Sequence, residues 1–276
     1  MGSVVLKTAA LLSMVCDHVG IAIGNDVLRA VGRVAFILFA FSCAEGYRLT
    51  RDKDRYLCRL MVWAGISQLP YMLFKGATPV FWVNGAVLCA GVILAIWFFG
   101  AYSDTPYLSG HPGRLLLFLA SFLLPMVLYQ DVPGGVPVPA GLNVLYTMTA
   151  ACTGMALMDK DRKGGQPSFV FLLMVVFCGL QCDYSVLGIA LIMVFYWLEP
   201  KGKCRQFLAA VLWSFVVYML GSDSPAEFIG ALAGSMLVLA YDRSKGACPK
   251  WYGNVFYWFY PAHMLVLWFL SCAELL

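Results

Sequence analysis

Apolar runs about as long as a membrane-crossing helix, separated by short polar gaps, dominate this sequence. A helix of roughly 20 apolar residues spans the hydrocarbon core of a bilayer, which is about 30 Å thick. The pattern predicts an all-α fold, a polytopic membrane helix bundle of about 10–11 transmembrane helices in one domain over residues 1–276. Ten spans is the alternative to eleven because the seventh and eighth runs are short. The predicted spans are 4–24, 27–47, 56–74, 80–100, 114–130, 141–158, 168–182, 185–199, 206–221, 225–241 and 252–272.

The amino-acid composition also indicates a membrane protein. Hydrophobic residues make up 61% and charged residues 12%, and the mean hydropathy is +0.78. Soluble domains are about 45–50% apolar and about 25% charged. The first run resembles the apolar region of a signal peptide, but Asp17 and His18 interrupt its centre and no small-residue cleavage site follows. It is therefore predicted to be a retained helix.

The basic residues alternate strongly between the two sets of polar gaps. One set holds Lys7, Arg48, Arg51, Lys53, Arg55, Arg59, Arg114, Lys160, Arg162, Lys163, Lys201, Lys203, Arg205, Arg243, Lys245 and Lys250, which is 16 of the 19 Lys and Arg. The positive-inside rule places that set in the cytoplasm, and the N-terminus with it. The sequence thus predicts a multi-pass protein of the cytoplasmic (inner) membrane. The positive-inside distribution already explains the net charge of +4, so no nucleic-acid partner is predicted.

The ten cysteines do not form a recognisable metal or disulfide pattern. Cys178 and Cys182 are four residues apart, and no second pair gives zinc-like spacing. No metal site is predicted, and cysteine is interpreted as a small apolar filler.

Asp17 and His18 stand side by side in the first predicted span, where ionisable groups are rare because hydrocarbon disfavours charge. The turn Gly24–Asp26 is tight, so the first two spans are predicted to be antiparallel neighbours. Reflecting the numbering about residue 25 brings position 17 level with Arg33, which predicts an ion pair between Asp17 and Arg33. Adjacent helical residues point about 100° apart, so His18 is expected to face elsewhere.

His18 is the strongest candidate for chemistry in this hairpin. It lies roughly 10 Å below the predicted outer end of its helix, at 1.5 Å per residue. A neutral imidazole at that depth can act as a general base towards an amine or a hydroxyl group. The alternative is structural: Asp17, His18 and Arg33 would form a buried network that holds the helices together.

Several segments of the chain resemble motifs of one family of membrane proteins. They are residues 6–20 around Asp17-His18, 28–41 with Gly32-Arg33, 44–51 with Glu45-Gly46-Tyr47-Arg48, 56–60, 66–70 with Ser67-Gln68-Leu69-Pro70, 183–188, 195–196 and 259–263. The sequence is similar to the TraX family, named for the enzyme that N-acetylates conjugative pilin. The similarity runs through the chain in the right order, and the first 70 residues are its most specific part.

The resemblance implies a transmembrane acyltransferase-like fold that uses acetyl-CoA as acyl donor. His18 would be the catalytic base, with Asp17 and Arg33 beside it. The acceptor would be an amine, such as a pilin or peptide N-terminus or an amino sugar, or else a hydroxyl group. Ile37 departs from the family, which has proline at that position. The family's asparagine after the third span, which would belong to the substrate site, has two possible counterparts, Asn84 and Asn143.

A second group of polar residues is assigned to ligand binding. Five cations at the cytoplasmic end of the second and third spans suit the phosphates of coenzyme A, although orientation of the chain or contact with anionic lipid would also explain them. These cations are Arg48, Arg51, Lys53, Arg55 and Arg59. Glu45 belongs to the same helix end and is assigned to the substrate site.

Asp183 and Tyr184 fall at a predicted outer turn, where Asp183 would hold the amine of the acceptor or, alternatively, cap the next helix. His263 is either a second histidine of the site or a purely structural hydrogen-bonding residue. A small transporter or proton-coupled carrier that uses Asp17, His18 and Arg33 is the competing function.

Overall fold

The structure, a computed structural model, describes residues 1–76, 78–79, 129–131, 138–139, 141–162, 179–221, 224–242, 244 and 252–274. The helices in these ranges are α1 (Ser3–Ile23), α2 (Asp26–Leu49), α3 (Lys53–Phe74), α4 (Val144–Arg162), α5 (Ser185–Leu198), α6 (Lys203–Met219), α7 (Pro225–Leu239) and α8 (Tyr252–Cys272). A short 3₁₀ helix, Glu199–Lys201, connects α5 to α6.

The helices confirm the all-α membrane bundle predicted from the apolar runs. Four of them are long and apolar enough to cross a membrane: α1, α2, the Arg55–Phe74 part of α3 and the Val255–Cys272 part of α8. The helix α5 has 14 residues, or about 21 Å, which is shorter than the hydrocarbon core. The predicted span 80–100 lies outside the described residues, as do residues 114–128 of the span 114–130 and residues 168–178 of the span 168–182. The number of spans stays a prediction.

Three very short strands accompany the helices. They are β1 (Thr78–Pro79), β2 (Tyr129–Asp131) and β3 (Val138–Pro139), paired antiparallel in the order β1-β2-β3. Pro79 and Pro139 both lie on edge strands, where proline is tolerated because its missing N–H group can face away from the ladder. These short strands do not change the fold class.

The chain divides into two compact units. One consists of Met1–Arg48 together with Ala190–Leu276, and the other is Leu49–Ile189. The first unit contains α1, α6, α7, α8 and nearly all of α2, while the second contains α3, α4 and the strands. The interpretation of residues 1–276 as one domain stays a prediction.

A tight turn joins α1 to α2, as the sequence predicts. Gly24 ends α1 with φ 68° and ψ 33°, a left-handed conformation that glycine adopts without a steric penalty. The side-chain oxygen of Asn25 then accepts hydrogen bonds from the backbone N–H groups of Val27 and Leu28, at 3.0 and 3.1 Å. These contacts satisfy the first N–H groups of α2 and fix the reversal of the chain.

Two glycines one turn apart allow α7 to lie directly on α2. A β-carbon at Gly230 would overlap the carbonyl oxygen of Ala30, and one at Gly234 would come within 3.1 Å of the α-carbon of Val34. Small residues at this spacing let helix backbones approach closely in a membrane, where packing replaces the hydrophobic effect as the driving force for helix association.

Gly230→Ala is expected to destabilise the protein by about 1–3 kcal/mol because the added methyl group forces the backbones of α2 and α7 apart. Thermal unfolding in detergent would measure the change. Ala233→Ser adds one atom on the exposed side of the same helix and is the control. Equal unfolding temperatures for the two variants would contradict the close contact.

Large apolar side chains cover outward-facing surfaces of the first unit. On α6, Leu208, Leu212, Phe215 and Met219 are exposed and recur every three or four residues, so they share one face of the helix. On α8, Phe269 is exposed in the same way. Stripes of this kind suit contact with lipid chains.

Candidate active site

Two histidines from distant parts of the chain meet in the first unit. His18 on α1 and His263 on α8 approach with Nδ1 of His18 2.5 Å from Nε2 of His263. The ring planes differ by only 18°, and the ring centroids are 4.8 Å apart. Because the nitrogens are much closer than the centroids, the rings meet edge to edge, as a hydrogen bond in the ring plane requires. The sequence identified both residues and left their pairing open.

The α8 side of this pair is held by the backbone and by aromatic rings. Nδ1 of His263 lies 2.8 Å from the carbonyl oxygen of Phe259, one turn earlier on the same helix. The Phe259 ring stacks on the His263 ring with centroids 5.3 Å apart. The Tyr260 ring lies 6.4 Å from the His18 ring and 5.8 Å from the His263 ring. His263 is buried and His18 is half-buried.

Contacts nearer the start of α1 fix its position against α8. The hydroxyl groups of Thr8 and Tyr252 form a hydrogen bond, and the ammonium group of Lys7 lies 5.7 Å from the centre of the Phe256 ring. These contacts lie about three helical turns before His18. The helix α1 therefore meets α8 both near its own start and at the histidine pair.

Asp17 faces a different neighbour from His18, as their adjacent positions predict. A β-carbon at Gly32 would overlap the side chain of Asp17, so α2 packs on Asp17 through a residue without a side chain. One turn earlier, the hydroxyl group of Ser13 donates to the carbonyl oxygen of Val31 at 2.5 Å. Asp17 therefore lies opposite Gly32, one residue from the predicted position 33. An ion pair between Asp17 and Arg33 stays a prediction.

Arg33 forms an ion pair with Glu227, which the sequence did not predict. Oε1 of Glu227 accepts from Nη2 of Arg33 at 3.0 Å and from Nη2 of Arg29 at 2.7 Å. Oε2 of Glu227 accepts from the backbone N–H of Ser224 at 2.7 Å, which completes a capping box at the start of α7. The Glu227 side chain is only 8% exposed, so this carboxylate holds two guanidinium groups inside the unit.

Arg48 and Glu45, assigned to coenzyme A and to substrate, form an ion pair with each other. Nη2 of Arg48 lies 3.0 Å from Oε2 of Glu45, and Nε of Arg48 lies 3.6 Å from Oε1 of Glu199. Tyr47 is buried, with the edge of its ring against Tyr196. These contacts give Arg48 and Glu45 a structural role at the end of α2, and their ligand-binding roles stay predictions.

The remaining cations of that cluster belong to the second unit. Arg55 pairs with Asp52, the N-cap of α3, through a 2.9 Å contact, yet its side chain is 71% exposed. Arg59 lies over the Tyr56 ring at 5.8 Å, and Arg59 and Arg51 are exposed. Lys53, the first residue of α3, is half-buried.

Asn143 is the centre of a buried amide network in the second unit. Its Nδ2 donates to the carbonyl oxygen of Ala64 at 2.8 Å and to Oε1 of Gln68 at 2.9 Å, and its Oδ1 accepts from the backbone of Leu145 at 3.0 Å. Gln68 in turn donates to the carbonyl oxygen of Gly141 at 2.8 Å. Both N–H groups of Asn143 are thus used in joining α3 to the start of α4. A role of Asn143 in binding a substrate stays a prediction.

Asn143→Ala is expected to lower the free energy of unfolding by about 2–3 kcal/mol because it removes the side-chain partner of the Ala64 carbonyl oxygen and of the Leu145 backbone N–H and one of the two donors to Gln68. Asn25→Ala, which removes an exposed cap of α2, is the control and should cost about 1 kcal/mol. Unfolding temperatures in detergent would compare them. A smaller loss for Asn143→Ala than for Asn25→Ala would show that the network contributes little.

Asp183 and Tyr184 lie in the turn before α5. Oδ1 of Asp183 accepts from the hydroxyl group of Tyr71 at 3.4 Å, and the backbone N–H of Asp183 donates to the carbonyl oxygen of Leu142 at 2.7 Å. Tyr184 and Ser185 have φ values of 28° and 50°, a sparsely populated conformation for residues other than glycine. The roles of Asp183 and Tyr184 in binding an acceptor stay predictions. Asn84 lies outside the described residues.

Comparison with known proteins gives three findings. The chain is 22% identical over 279 residues to a probable fimbrial assembly protein FimC, serogroup H1, of Dichelobacter nodosus, with 95% of this chain and 92% of the relative aligned. No solved structure matches. The family model described as TraX protein matches residues 3–108 and 113–271, and this membrane protein therefore belongs to the TraX family.

Proposed function

We propose that this protein is a membrane-embedded acetyltransferase that moves an acetyl group from cytoplasmic acetyl-CoA to the N-terminal amine of a pilin or fimbrial subunit. The observation that carries the proposal is the hydrogen-bonded pair of His18 and His263 between two membrane-length helices. Imidazole is the side chain best suited to accept and return a proton near neutral pH. Membership of the TraX family and the relative named for fimbrial assembly support the choice of acceptor.

In this mechanism His18 is the general base. As the neutral amine of the acceptor attacks the thioester carbonyl carbon, a nitrogen–carbon bond forms and His18 takes the proton released by that nitrogen. The carbon–sulfur bond then breaks, and His18 returns the proton to the departing thiolate. The products are an N-acetylated acceptor and free coenzyme A. A positioned base of this kind contributes about 10²–10⁴-fold to the rate.

We assign the binding of acetyl-CoA, the acetyl donor, to exposed basic side chains. Arg51 and Arg59 are exposed, and Arg55 remains mostly exposed beside Asp52, so their guanidinium groups fit the phosphates of coenzyme A. We place this end of α3, and the N-terminus of the chain, in the cytoplasm of a cell with the protein in its inner membrane. The distribution of Lys and Arg between alternate gaps supports that orientation.

The test is release of free coenzyme A from acetyl-CoA by the purified protein in detergent. A synthetic peptide with a pilin-type free N-terminus is one acceptor, and the same peptide with a blocked N-terminus is its matched control. Release only with the free N-terminus, together with a mass increase of one acetyl group on the peptide, is the expected result. If no acceptor in a panel of amines and hydroxyl compounds gives release and acetyl-CoA does not bind, the acetyltransferase assignment is wrong. A carrier function would then take its place.

A further inference from the structure

We propose that His263 is a positioning residue that holds His18 in the tautomer with its proton on Nδ1, so that Nε2 is the nitrogen that accepts the proton of the acceptor. The proposal rests on the proposed function and adds the identity of the reacting nitrogen. It also gives a role in the reaction to a histidine that lies 245 positions further along the chain.

The proton positions follow from a chain of hydrogen bonds that begins at a carbonyl group. The oxygen of Phe259 can only accept, so the nitrogen facing it at 2.8 Å, Nδ1 of His263, must carry a hydrogen. A neutral imidazole has one N–H group and one nitrogen with a lone pair. Nε2 of neutral His263 is therefore an acceptor, and Nδ1 of His18, 2.5 Å away, must be the donor. This leaves the lone pair of neutral His18 on Nε2.

The surroundings of His263 favour this neutral, directional role. His263 is buried, with the Phe259 ring stacked on its ring and the Tyr260 ring tilted beside it, at centroid distances of 5.3 and 5.8 Å. A carbonyl oxygen has two lone pairs, so Phe259 can accept from the His263 ring as well as from the helix backbone. A charged imidazole in such a place would lose its hydration, whereas a neutral one satisfies both ring nitrogens through Phe259 and His18.

Asp17 is adjacent to His18 in the sequence but packs on a different helix. It packs on Gly32 of α2, while the His18 ring meets α8. In many enzymes a carboxylate orients the catalytic histidine; here a buried neutral histidine takes that position. Without it, His18 can adopt the other tautomer, which presents an N–H group to the acceptor's proton instead of a lone pair.

The direct test is nitrogen NMR of protein labelled with ¹⁵N histidine, with the His18 signals assigned from the spectrum of His18→Ala. In neutral His18 the expected result is a protonated Nδ1 and an unprotonated Nε2. The opposite tautomer would overturn the proposal. Because the spectrum needs no substrate, it decides the tautomer even if the wild-type protein transfers no acetyl group and the proposed function fails.

The kinetic test compares His263→Leu with His263→Gln. Leucine removes the acceptor, so kcat is expected to fall by at least about 100-fold with little change in KM for acetyl-CoA. Glutamine places a carbonyl oxygen near the position of Nε2, and it should restore at least a tenth of the wild-type kcat. Wild-type kcat in His263→Leu, or equal losses in the two variants at equal amounts of folded protein, would overturn the proposal.

Discussion

His18→Ala is expected to reduce acetyl transfer by at least about 100-fold while the protein remains folded in the membrane. The imidazole is the only part of the proposed mechanism that moves a proton, so its removal leaves the amine without a base. The ring is half-buried, and its loss removes the hydrogen bond to Nε2 of the buried His263, which is expected to cost about 1–3 kcal/mol of stability and to leave the protein folded. The loss of activity is therefore measured as kcat at equal amounts of folded protein. Coenzyme A release at saturating substrate measures it.

The control for His18→Ala is His111→Ala. Residue 111 lies in the predicted gap between the fourth and fifth spans, so this variant removes a histidine without touching a predicted span. It should keep wild-type turnover and a wild-type unfolding temperature. Normal turnover by His18→Ala would remove His18 from the mechanism, whatever the result for the control.

Glu227→Ala is expected to lower the free energy of unfolding by about 3–5 kcal/mol. The change leaves the guanidinium groups of Arg29 and Arg33 without the carboxylate that they share, and the Arg33 side chain is only 14% exposed. It also removes one half of the capping box with Ser224 at the start of α7. A cap alone contributes about 1 kcal/mol, so most of the loss should come from uncompensated charge.

Two further variants separate the two contributions of Glu227, which are the helix cap and the ion pairs with Arg29 and Arg33. Ser224→Ala weakens the cap and keeps the carboxylate, and it should cost about 1 kcal/mol. Glu274→Ala removes an exposed carboxylate and should be close to neutral. Unfolding temperatures in one detergent would rank the three variants. A loss in Glu227→Ala no larger than in Ser224→Ala would show that the arginines find other compensation.

The helices were predictable from sequence because each follows from local information. The apolar runs marked α1, α2, α3 and α8 to within a few residues, and the turn Gly24–Asp26 gave the antiparallel hairpin. Two of the shorter helices agree equally well, because α5 and α7 begin at the predicted residues, 185 and 225, and end one and two residues before the predicted ends. The helix α6 begins at Lys203, three residues before its predicted apolar run, because charged residues can occupy the first turn of a helix that emerges from the bilayer.

The site was predictable only in part. An imidazole inside an apolar run is visible in any sequence, so His18 and His263 were both named. Their hydrogen bond and the bonds of Arg29 and Arg33 to Glu227 join residues about 200 positions apart, and periodicity carries no information on such contacts. The Ser224–Glu227 capping box was a signal for the start of α7. It did not show that the same carboxylate faces α2.

The distance in sequence between His18 and His263 has a consequence for biosynthesis. During translation His18 leaves the ribosome more than 240 residues before its partner. Until α8 has been made and inserted, His263 is absent and cannot hold the tautomer of His18 in the α1–α2 hairpin. If the proposed function holds, a nascent chain that already contains Arg51, Arg55 and Arg59 would thus remain inactive until α8 docks on α1.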